Sequence, residues 1–378
     1  MRIAIDGMLL GRRSSGVEGS IANLVQALVA AGHHDYSLFA SADPAAVTAG
    51  SPRFRVLATR WPVRFRPFRI LWQQLALPAV VARGGFDLLH APGYVAPLLA
   101  PGPVVLTVYD TLALTHPDFC TPGNRWHYRL MLPLSVRRAD AVIVPSETTR
   151  RDVERAMPWA AGRLRVIPLG IENRFNVLRN ESEEQRLRSE HGLSGPYILF
   201  VGGLEPKKNV VRLVEAFRLL RQRCGLPHRL VIAGAWSWDR AGVERAIREA
   251  GLGDAVLLPG FVPPDLLPAL YRSAELFVFP SLYEGFGLPP LEAMACGTPV
   301  IVSDRGALPE VAGPAALVVN PSAPGDIAEA METVLTRRDV RTDLIAKGLR
   351  HAAAFTWART ATATEAVYTE AVGRRRSA

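Results

Sequence analysis

Short apolar runs alternate with longer amphipathic segments along most of the chain. The runs lie at residues 2–5, 86–92, 104–110, 139–146, 165–170, 197–201, 230–234, 256–258, 276–279 and 299–302. Their length and β-branched composition are typical of buried parallel strands. Between them, apolar residues recur at helical spacing, as at Ile21, Leu24, Val25 and Leu28. The pattern predicts repeated strand–helix units and therefore an α/β fold.

Residues 173–196 interrupt this alternation. They are polar and charged, and they end in Gly192 and in the pair Gly195 and Pro196. Such composition is typical of the connection between two domains. The length of 378 residues also favours more than one domain, because a domain averages roughly 150 residues. We therefore predict two α/β domains, one on each side of this segment.

The stretch 273–313 contains the most informative candidate chemistry. The turn after its first strand consists of Glu284, Gly285, Phe286 and Gly287. The helix that follows has a second carboxylate, Glu292, eight positions after the first. Such a loop-to-helix junction gathers backbone N–H groups and the positive end of a helix dipole, which suit a phosphate. Two carboxylates beside it suit the hydroxyl groups of the same ligand, so the pattern predicts a nucleotide-sugar site.

Two other strand-to-helix turns have candidate ligand-binding residues. Lys207 and Lys208 are two of only three lysines in the chain and follow the strand 197–201. Compact ammonium groups there suit a diphosphate, and the alternative is a solvated pair of charges. Gly16 and Gly19 lie in the loop after the first strand, as in the opening of a Rossmann-like unit. The spacing is neither a dinucleotide fingerprint nor a Walker loop, so a flexible connection is the alternative.

Polar side chains also lie at or beyond the ends of two strands in the first half. They are His90, Tyr109, Asp110 and His116. In open α/β sheets ligands bind beyond the carboxyl ends of the strands, so these residues are candidates for a ligand site. The alternative for each one is a structural residue whose hydrogen bonds are satisfied inside the protein.

Composition narrows the class of protein. A hydrophobic fraction of 49% is typical of a globular chain with a large core. The chain contains no run approaching the roughly 20 apolar residues of a membrane span, and residues 1–7 lack the order of a signal peptide. The three cysteines are widely spaced, which favours a reducing compartment over disulfides or a zinc site. We therefore expect a cytoplasmic protein.

The positive charge is concentrated in the first half. Residues 1–180 contain 21 arginines, no lysine and 12 acidic residues, whereas the remainder has 23 basic and 23 acidic residues. Within the first half, residues 53–72 interleave arginines with aromatic residues: Arg53, Phe54, Arg55, Arg60, Trp61, Arg64, Phe65, Arg66, Phe68, Arg69 and Trp72. Such a segment suits an anionic membrane surface. The alternatives are a packed helix with arginine stems along its edges, or an Arg-rich composition without function. The chain contains no nucleic-acid-binding motif, so we expect no nucleic-acid partner.

The motifs of both halves together resemble the retaining glycosyltransferases of family 4, most closely the mannosyltransferase-like branch. The resemblance rests mainly on Glu284-x7-Glu292 within YEGFGLPPLEAMACGTPV, with VGGLEPKKN, IPLG, ADAVIVPS and FTW in support. It covers nearly the whole chain and implies the GT-B fold, in which two facing Rossmann-like domains enclose a nucleotide-sugar cleft. The implied domains are an N-terminal one, residues 1–175 plus the returning C-terminal helix 357–378, and a donor-binding one, residues 190–356.

The resemblance also implies roles for individual residues. Glu292 is expected to bind the donor ribose, and Glu284 the transferred hexose near its anomeric carbon. The amides of Gly285, Phe286, Gly287 and Leu288 are expected near the diphosphate and sugar. Lys208 is expected to neutralise the departing diphosphate, with Gly16 and Gly19 closing over it from the other domain. The turn containing Val262 is expected to hold the base. We expect no metal ion and no cofactor apart from the donor.

The expected reaction is transfer of a hexose, best matched by mannose from GDP-mannose, to a lipid-linked or polysaccharide acceptor at the inner face of the cell membrane. Two positions depart from the family pattern. Tyr109 replaces a common histidine that contacts the sugar, for which His116 or His90 could substitute. The resemblance therefore implies that these residues and Asp110 lie on the acceptor side of the site. Gly203 replaces a common arginine at the donor site, which leaves Lys207 as the second cation for the phosphates. The alternatives are other GT-B chemistry, such as a nucleotide-sugar epimerase or a phosphorylase, and a non-catalytic nucleotide or sugar binder.

Overall fold

The computed structural model describes residues 1–11, 16–41, 51–63, 65–235 and 239–376. The chain divides into two compact units. The first contains Met1–Gly170 together with the C-terminal segment from Thr356, and the second contains Ile171–Phe355. Each unit is a parallel β-sheet with helices on its faces, as the α/β pattern predicts.

The first unit contains a seven-stranded sheet in the order β3-β2-β1-β4-β5-β6-β7. Its strands are Arg2–Asp6 (β1), Asp35–Ala40 (β2), Phe54–Ala58 (β3), Leu88–Ala91 (β4), Val104–Thr107 (β5), Ala141–Val144 (β6) and Leu164–Val166 (β7). All neighbouring strands are parallel, and β1 pairs with β4 in the register Ile3 with Leu88. The direction of strand addition reverses between β1 and β4, so this pair is the switch point where such sheets bind ligands.

The second unit contains a six-stranded parallel sheet in the order β10-β9-β8-β11-β12-β13. Its strands are Tyr197–Val201 (β8), Arg229–Ala233 (β9), Val256–Gly260 (β10), Leu276–Phe279 (β11), Val300–Ser303 (β12) and Ala316–Val319 (β13). The switch point lies between β8 and β11, which pair in the register Leu276 with Ile198. The loops that follow these two strands therefore emerge side by side.

Fifteen α-helices are described, and they flank the two sheets. They are Gly16–Ala31 (α1), Arg66–Leu71 (α2), Leu77–Gly84 (α3), Leu112–Thr115 (α4), Pro122–Arg138 (α5), Glu147–Ala156 (α6), Glu181–His191 (α7), Val210–Arg223 (α8), Arg240–Glu249 (α9), Leu267–Arg272 (α10), Leu288–Ala295 (α11), Leu308–Ala312 (α12), Pro324–Thr336 (α13), Arg338–Ala352 (α14) and Trp357–Arg376 (α15). A π-helix, Trp72–Ala76, joins α2 to α3. Shorter 3₁₀ turns lie at Pro117–Phe119, Pro158–Arg163, Pro206–Lys208 and Gly313–Ala315.

The C-terminal helix α15 is part of the first unit. The hydroxyl of the buried Tyr36 donates a hydrogen bond to Glu365 on this helix over 2.7 Å. At the start of the helix, a Cβ atom on Gly170 would collide with the backbone of Thr356 and Trp357, so the close approach requires glycine there. The helix is thus packed into the first unit at several points along its length.

Residues 53–72 do not form one amphipathic segment. Residues 54–58 are strand β3 at the edge of the first sheet, and the helix begins only at Arg66. Arg64 lies outside the described residues. In the part of the chain that the structure describes, no helix combines the length and the apolar character that crossing a membrane requires.

Candidate functional site

The turn after β8 contains the two lysines and is fixed in place by Asn209. This residue is buried and has a left-handed backbone conformation, with a φ of 60°. Its side-chain amide donates hydrogen bonds to the carbonyls of Pro280 (3.1 Å) and Pro321 (2.7 Å). The carbonyl of Lys207 in turn accepts a hydrogen bond from the amide of Leu282 over 2.7 Å. These bonds tie the lysine turn to the loop that follows the neighbouring strand β11.

Glu284, Lys207 and Lys208 form a partly buried charge cluster between these loops. Lys208 Nζ lies 2.7 Å from Glu284 Oε1, and Lys207 Nζ lies 3.8 Å from Oε2. The side chains are only 12–15% exposed. Burial alone would raise the pKa of Glu284, but the charges of the two lysines and the Lys208 hydrogen bond outweigh it and hold the pKa below its ordinary value. One carboxylate and two ammonium groups leave an excess positive charge, which suits an anion.

Aromatic packing and a second loop hold this cluster in position. Lys208 Nζ lies 4.8 Å from the centroid of the buried Phe279 ring, within the range of a cation–π contact. The backbone carbonyl of Glu284 accepts a hydrogen bond from Ala307 over 2.9 Å. A Cβ atom on Gly306 would lie 2.6 Å from that carbonyl oxygen, and Gly306 has a φ of 59°. Only glycine therefore fits at position 306 without moving the glutamate loop.

The junction between the glutamate loop and α11 contains the predicted amide donors. Gly287 caps the helix with a φ of 114°, and its missing side chain leaves room for Leu308. The two residues after Leu288 are prolines, which have no N–H group, so the backbone N–H groups at this junction are those of residues 285–288. The ring of Phe286 is buried edge-on against Phe355, with 6.1 Å between centroids. The side chain of Phe286 therefore belongs to the core of the second unit.

Glu292 lies in a different environment from Glu284. Its Oε2 accepts a hydrogen bond from the hydroxyl of the fully buried Tyr271 over 2.9 Å. Burial raises the pKa of Glu292 to about 7, and the nearby Glu172 adds to this, while the Tyr271 hydrogen bond and Arg174 act in the opposite direction. This carboxyl group thus changes its charge near neutral pH, whereas the lysines hold Glu284 ionised.

The remaining predicted donor residues lie in the same unit. Val262 is buried after the turn at Gly260, while its neighbour Phe261 is half-exposed. At Gly203, a Cβ atom would have only ordinary contacts at 3.9 Å, to Ala235 and Glu205, so a side chain fits at this position. Contacts of a Cβ atom therefore do not require glycine at position 203.

Gly16 and Gly19 belong to the first unit, and their predicted place in a loop is wrong, because both lie in the first turn of α1. A Cβ atom on either one would have nothing within 4 Å. Their lack of a side chain is therefore not a packing requirement of that unit, which leaves space beside the helix for another group.

His90 is removed from the acceptor-side candidates by its surroundings. It is fully buried at the end of β4, with Nδ1 2.7 Å from the hydroxyl of Tyr368 and Nε2 2.9 Å from that of Thr107. Burial lowers the pKa of His90 to about 3, so it is neutral. Both ring nitrogens are occupied, which makes it a structural link between the sheet and α15.

The other acceptor-side candidates are not brought to one point. Asp110 accepts hydrogen bonds from the hydroxyl of Tyr94 over 2.8 Å and from the amide of Leu112 over 3.0 Å. The buried Tyr109 packs edge-on against Tyr94, whose backbone has a φ of 67°. His116, in contrast, is exposed and stacks on the ring of Phe119. Asp110 and Tyr109 thus share one aromatic cluster, and His116 lies on the surface.

The sequence did not single out Asp6 and Gln73, which form a second polar centre in the first unit. Asp6 is buried at the end of β1, beside the switch point, and accepts hydrogen bonds from Gln73 Nε2 (2.6 Å) and the Met8 amide (3.1 Å). Burial raises the pKa of Asp6 despite these hydrogen bonds. Gln73 lies in the π-helix, a rare element that often occurs at functional sites. In the sequence, the aspartate at the end of the first strand was the feature that could have indicated this polar centre.

Two Rossmann-like units, one of them with a lysine–glutamate cluster at its switch point, define a glycosyltransferase of the GT-B class. The chain belongs to glycosyltransferase family 4. The family described as "Glycosyltransferase Family 4" matches residues 14–174, and the one described as "Glycosyl transferases group 1" matches residues 181–351.

Relatives of known name support this assignment. The chain is 32% identical to the O-antigen chain mannosyltransferase B of Escherichia coli over 287 residues, which are 74% of each protein. It is 34% identical over 282 residues to a serotype-specific mannosyltransferase of Escherichia coli, covering 72% of this chain but 34% of that longer protein.

Solved structures show the same fold. The sucrose-phosphate synthase of Thermosynechococcus elongatus matches with a TM-score of 0.76 and 24% identity over 98% of both chains. HepE of Anabaena, solved with UDP and glucose, matches with a TM-score of 0.73 and 21% identity over 98% of this chain and 100% of that one.

Proposed function

We propose that this glycosyltransferase transfers a hexose, with mannose from GDP-mannose as the preferred donor, to a lipid-linked or polysaccharide acceptor during cell-surface glycan synthesis. The observation that carries the proposal is the cluster of Lys207, Lys208 and Glu284 at the switch point of the second unit. It offers positive charge for a diphosphate and a carboxylate for sugar hydroxyls in one place. The mannosyltransferase relatives support the choice of sugar.

The proposed chemistry depends on stabilising the leaving group. The bond between the anomeric carbon and the diphosphate breaks, and the acceptor oxygen forms its bond on the same face, so the configuration is retained. The acceptor proton passes to the departing phosphate oxygen, which balances the charges. Lys208 and Lys207 neutralise the negative charge that develops on the departing diphosphate. Their ammonium groups provide the positive charge, so no metal ion is needed. Glu284 accepts hydrogen bonds from hydroxyl groups of the hexose, at the cost of part of its contact with Lys208.

Glu292 is proposed to bind the ribose hydroxyls of the donor. A carboxylate can accept two hydroxyl hydrogen bonds when it is ionised, but a protonated carboxyl group accepts them less well. Because the pKa of Glu292 is about 7 in the free site, donor binding depends on pH in the neutral range. Tyr271 keeps one carboxylate oxygen oriented throughout. The amides of residues 285–288 complete this side of the site, and the turn at Val262 holds the base.

The remaining parts of the proposal concern the first unit. Gly16 and Gly19 leave room for the diphosphate, and Tyr109, Asp110 and His116 lie on the acceptor side. The segment 53–72 is proposed to hold the enzyme peripherally on the cytoplasmic face of an anionic membrane, where lipid-linked acceptors are found. Its arginines and exposed aromatic residues, including Trp61 and Phe65, support this location.

A donor panel tests the proposal. The full chain is incubated with GDP-mannose and with other nucleotide sugars, with and without EDTA, and nucleotide release and sugar transfer are measured. We expect GDP-mannose to be preferred, the product to keep the anomeric configuration, and EDTA to have no effect. Absence of both turnover and binding with every nucleotide sugar would refute the proposal. Interconversion of the donor sugar would instead indicate an epimerase, and binding without turnover a non-catalytic protein. A pyridoxal-dependent phosphorylase has little support, because Lys347 on α14 is 41% exposed and paired with Asp343.

A further inference from the structure

A surface of the first unit combines exposed apolar side chains with arginines. We define the arginine–apolar face as the outer sides of α2, the π-helix and α5, together with Leu99. We propose that this whole face, and α5 above all, docks on a membrane that contains anionic lipids. The inference rests on the proposed function, because the purpose of the docking is to bring the enzyme to a lipid-linked acceptor.

Helix α5 is amphipathic with an apolar side turned toward solvent. Trp126, Leu130 and Leu134 follow one another at four-residue intervals and are 74%, 65% and 39% exposed. Leu132 and Val136 on its other side are buried in the core of the unit. A surface helix usually has polar residues on its solvent side, and a contiguous exposed apolar stripe marks an interaction site.

The segment formed by α2 and the π-helix presents a second stripe of the same kind. Phe68, Leu71 and Leu75 are all exposed at helical spacing. The two stripes belong to one surface, because Arg66 on α2 donates hydrogen bonds to Asn124 (2.9 Å) and to the carbonyl of Gly123 (3.2 Å) on α5.

The loop with Leu99 completes the surface between the two stripes. The side chain of Gln74 in the π-helix bonds the backbone of this loop at Ala96 and Leu98. The loop is also bonded to α5, since the Ala96 amide donates to the hydroxyl of Ser135 over 3.0 Å. Leu99 is 75% exposed. The elements that present these exposed apolar side chains are therefore linked to one another by hydrogen bonds.

The charge of this face favours anionic lipids. Residues 53–76 contain six arginines and residues 122–138 contain four, and neither stretch contains an Asp or Glu. On α5, Arg129 and Arg137 are exposed alongside the apolar stripe. Arginines near an anionic membrane each strengthen binding about fivefold, and their stems can lie along the apolar boundary while the charge reaches the headgroups.

The same features argue against other occupants. A nucleic acid offers no apolar interior for Leu71, Leu75 and Leu130, although it would accept arginines and aromatic rings. A second copy of this face would bring arginines against arginines without a carboxylate to pair with them. A bilayer boundary accepts aliphatic side chains, tryptophan and arginine together.

The face lies beside the polar centre of Asp6 and Gln73. A small cavity lies between α2 with the π-helix on one side and α5 on the other, and His127 and Tyr128 of α5 line it together with Asp6, Arg69 and Gln73. Residues 126, 127 and 128 thus connect the exposed stripe directly to this cavity. A membrane-bound face would place the cavity next to the headgroups of lipid-linked acceptors.

Vesicle binding of the full chain tests the inference. Sedimentation is measured with phosphatidylcholine vesicles and with mixed phosphatidylcholine–phosphatidylglycerol vesicles, without donor or acceptor. We expect binding to the mixed vesicles. Trp126→Ser with Leu130→Ser should weaken it at least about tenfold, because two apolar side chains no longer enter the boundary. Arg129→Gln with Arg137→Gln should weaken binding to the mixed vesicles by a similar factor and leave the weak binding to neutral vesicles unchanged.

The matched control is Trp159→Ser with Leu178→Ser, which removes one exposed Trp and one exposed Leu outside the face. It should bind vesicles as the wild type does, and Trp126→Phe should retain most of the affinity. Equal loss in the control pair, or undiminished binding after Trp126→Ser with Leu130→Ser, would overturn the inference. So would a dimer of the wild type that this pair dissociates without any vesicle binding. Donor turnover measured on a soluble acceptor should be normal in the Ser variants, so that failure of the membrane inference and failure of the proposed reaction are distinguished.

Discussion

Replacing Lys208 by methionine tests the charge cluster most directly, because methionine retains much of the side-chain length and removes the ammonium group. In the wild type Lys208 Nζ lies 2.7 Å from Glu284, whereas Lys207 Nζ lies 3.8 Å away. If Lys208 stabilises the departing diphosphate, kcat should fall on the order of 10²–10³-fold, as for other losses of one preorganised charge contact. Lys207→Met should cost less, because its ammonium group is farther from the carboxylate and accordingly less fixed.

The same substitution should also lower stability, with a characteristic pH dependence. Glu284 would keep its burial but lose its hydrogen-bonded partner, at a cost of about 1–3 kcal/mol in the free energy of unfolding. In the wild type the pKa of Glu284 is lowered, so its contribution to stability is present above the ordinary glutamate pKa and is lost as pH falls through the folded value. Lys208→Met raises that folded pKa. The stability deficit of the variant should therefore be largest at neutral pH and shrink in acid.

Two measurements check this reasoning. Steady-state nucleotide release gives kcat and KM for the donor, and urea unfolding at neutral and acidic pH gives the stability difference. Lys347→Met is the matched control, because that lysine is 41% exposed and paired with Asp343 on the surface of α14. A kcat for Lys208→Met close to that of the control would show that the cluster does not stabilise the leaving group. A stability deficit that stays constant or grows in acid would show that Glu284 is not held ionised by this lysine.

Three further predictions concern other residues. Glu292→Gln should raise the donor KM about tenfold or more with a smaller effect on kcat. A pH series of KM should also show that the variant lacks the loss of donor affinity that we expect of the wild type as pH falls through about 7. Gly306→Ala should abolish activity and lower the free energy of unfolding by more than about 1 kcal/mol, because the new Cβ would collide with the glutamate loop. The control is Gly225→Ala, which has open space around it and should leave urea unfolding and turnover nearly unchanged. His90→Leu should lower the free energy of unfolding by about 1–3 kcal/mol, because the buried hydroxyl of Tyr368 loses its hydrogen-bond partner. The donor KM of the folded enzyme should stay normal, and a changed donor KM would contradict the structural role of His90.

Much of the fold could be predicted from the sequence, because short apolar runs indicate buried parallel strands. The runs predicted β1, β4, β5, β6, β7 and most strands of the second sheet. The sequence analysis did not single out β2, β3 or β13. Strand β3 lies at the edge of its sheet and is largely exposed, and Arg53 and Arg55 on either side of Phe54 give it the mixed composition of an amphipathic segment.

The sequence could predict only those features of the site that residue types at local spacing indicate. The pairing of the lysine turn with Glu284 follows from the neighbouring strands β8 and β11. Local spacing does not indicate that these strands are neighbours, and only the family resemblance implied one site for both turns. The hydrogen-bond partner of Glu292 could not be predicted, because Tyr271 lies 21 positions earlier in an apolar helix. The burial of His90 depends on Tyr368, a contact across 278 positions. Such long-range partners decide the charge of a residue and leave no local pattern.

The outward stripe of α5 shows a general limit of pattern analysis. Apolar residues at helical spacing indicate that one side of a helix is buried, but not by what. In α5 the side with Leu132 and Val136 packs on the sheet, while the side with Trp126 and Leu130 faces outward. Only the packed structure distinguishes the two.

The scarcity of lysine has a practical consequence for following ligand occupancy. Three lysines and the N-terminus are the only primary amines in the chain, and two of them, Lys207 and Lys208, lie in the charge cluster with side chains 14% and 15% exposed. The third, Lys347, is 41% exposed on a surface helix and serves as an internal reference. Acylation by an amine-specific reagent, followed by mass spectrometry of the peptides, would therefore report shielding of the cluster by a bound nucleotide within a single digest.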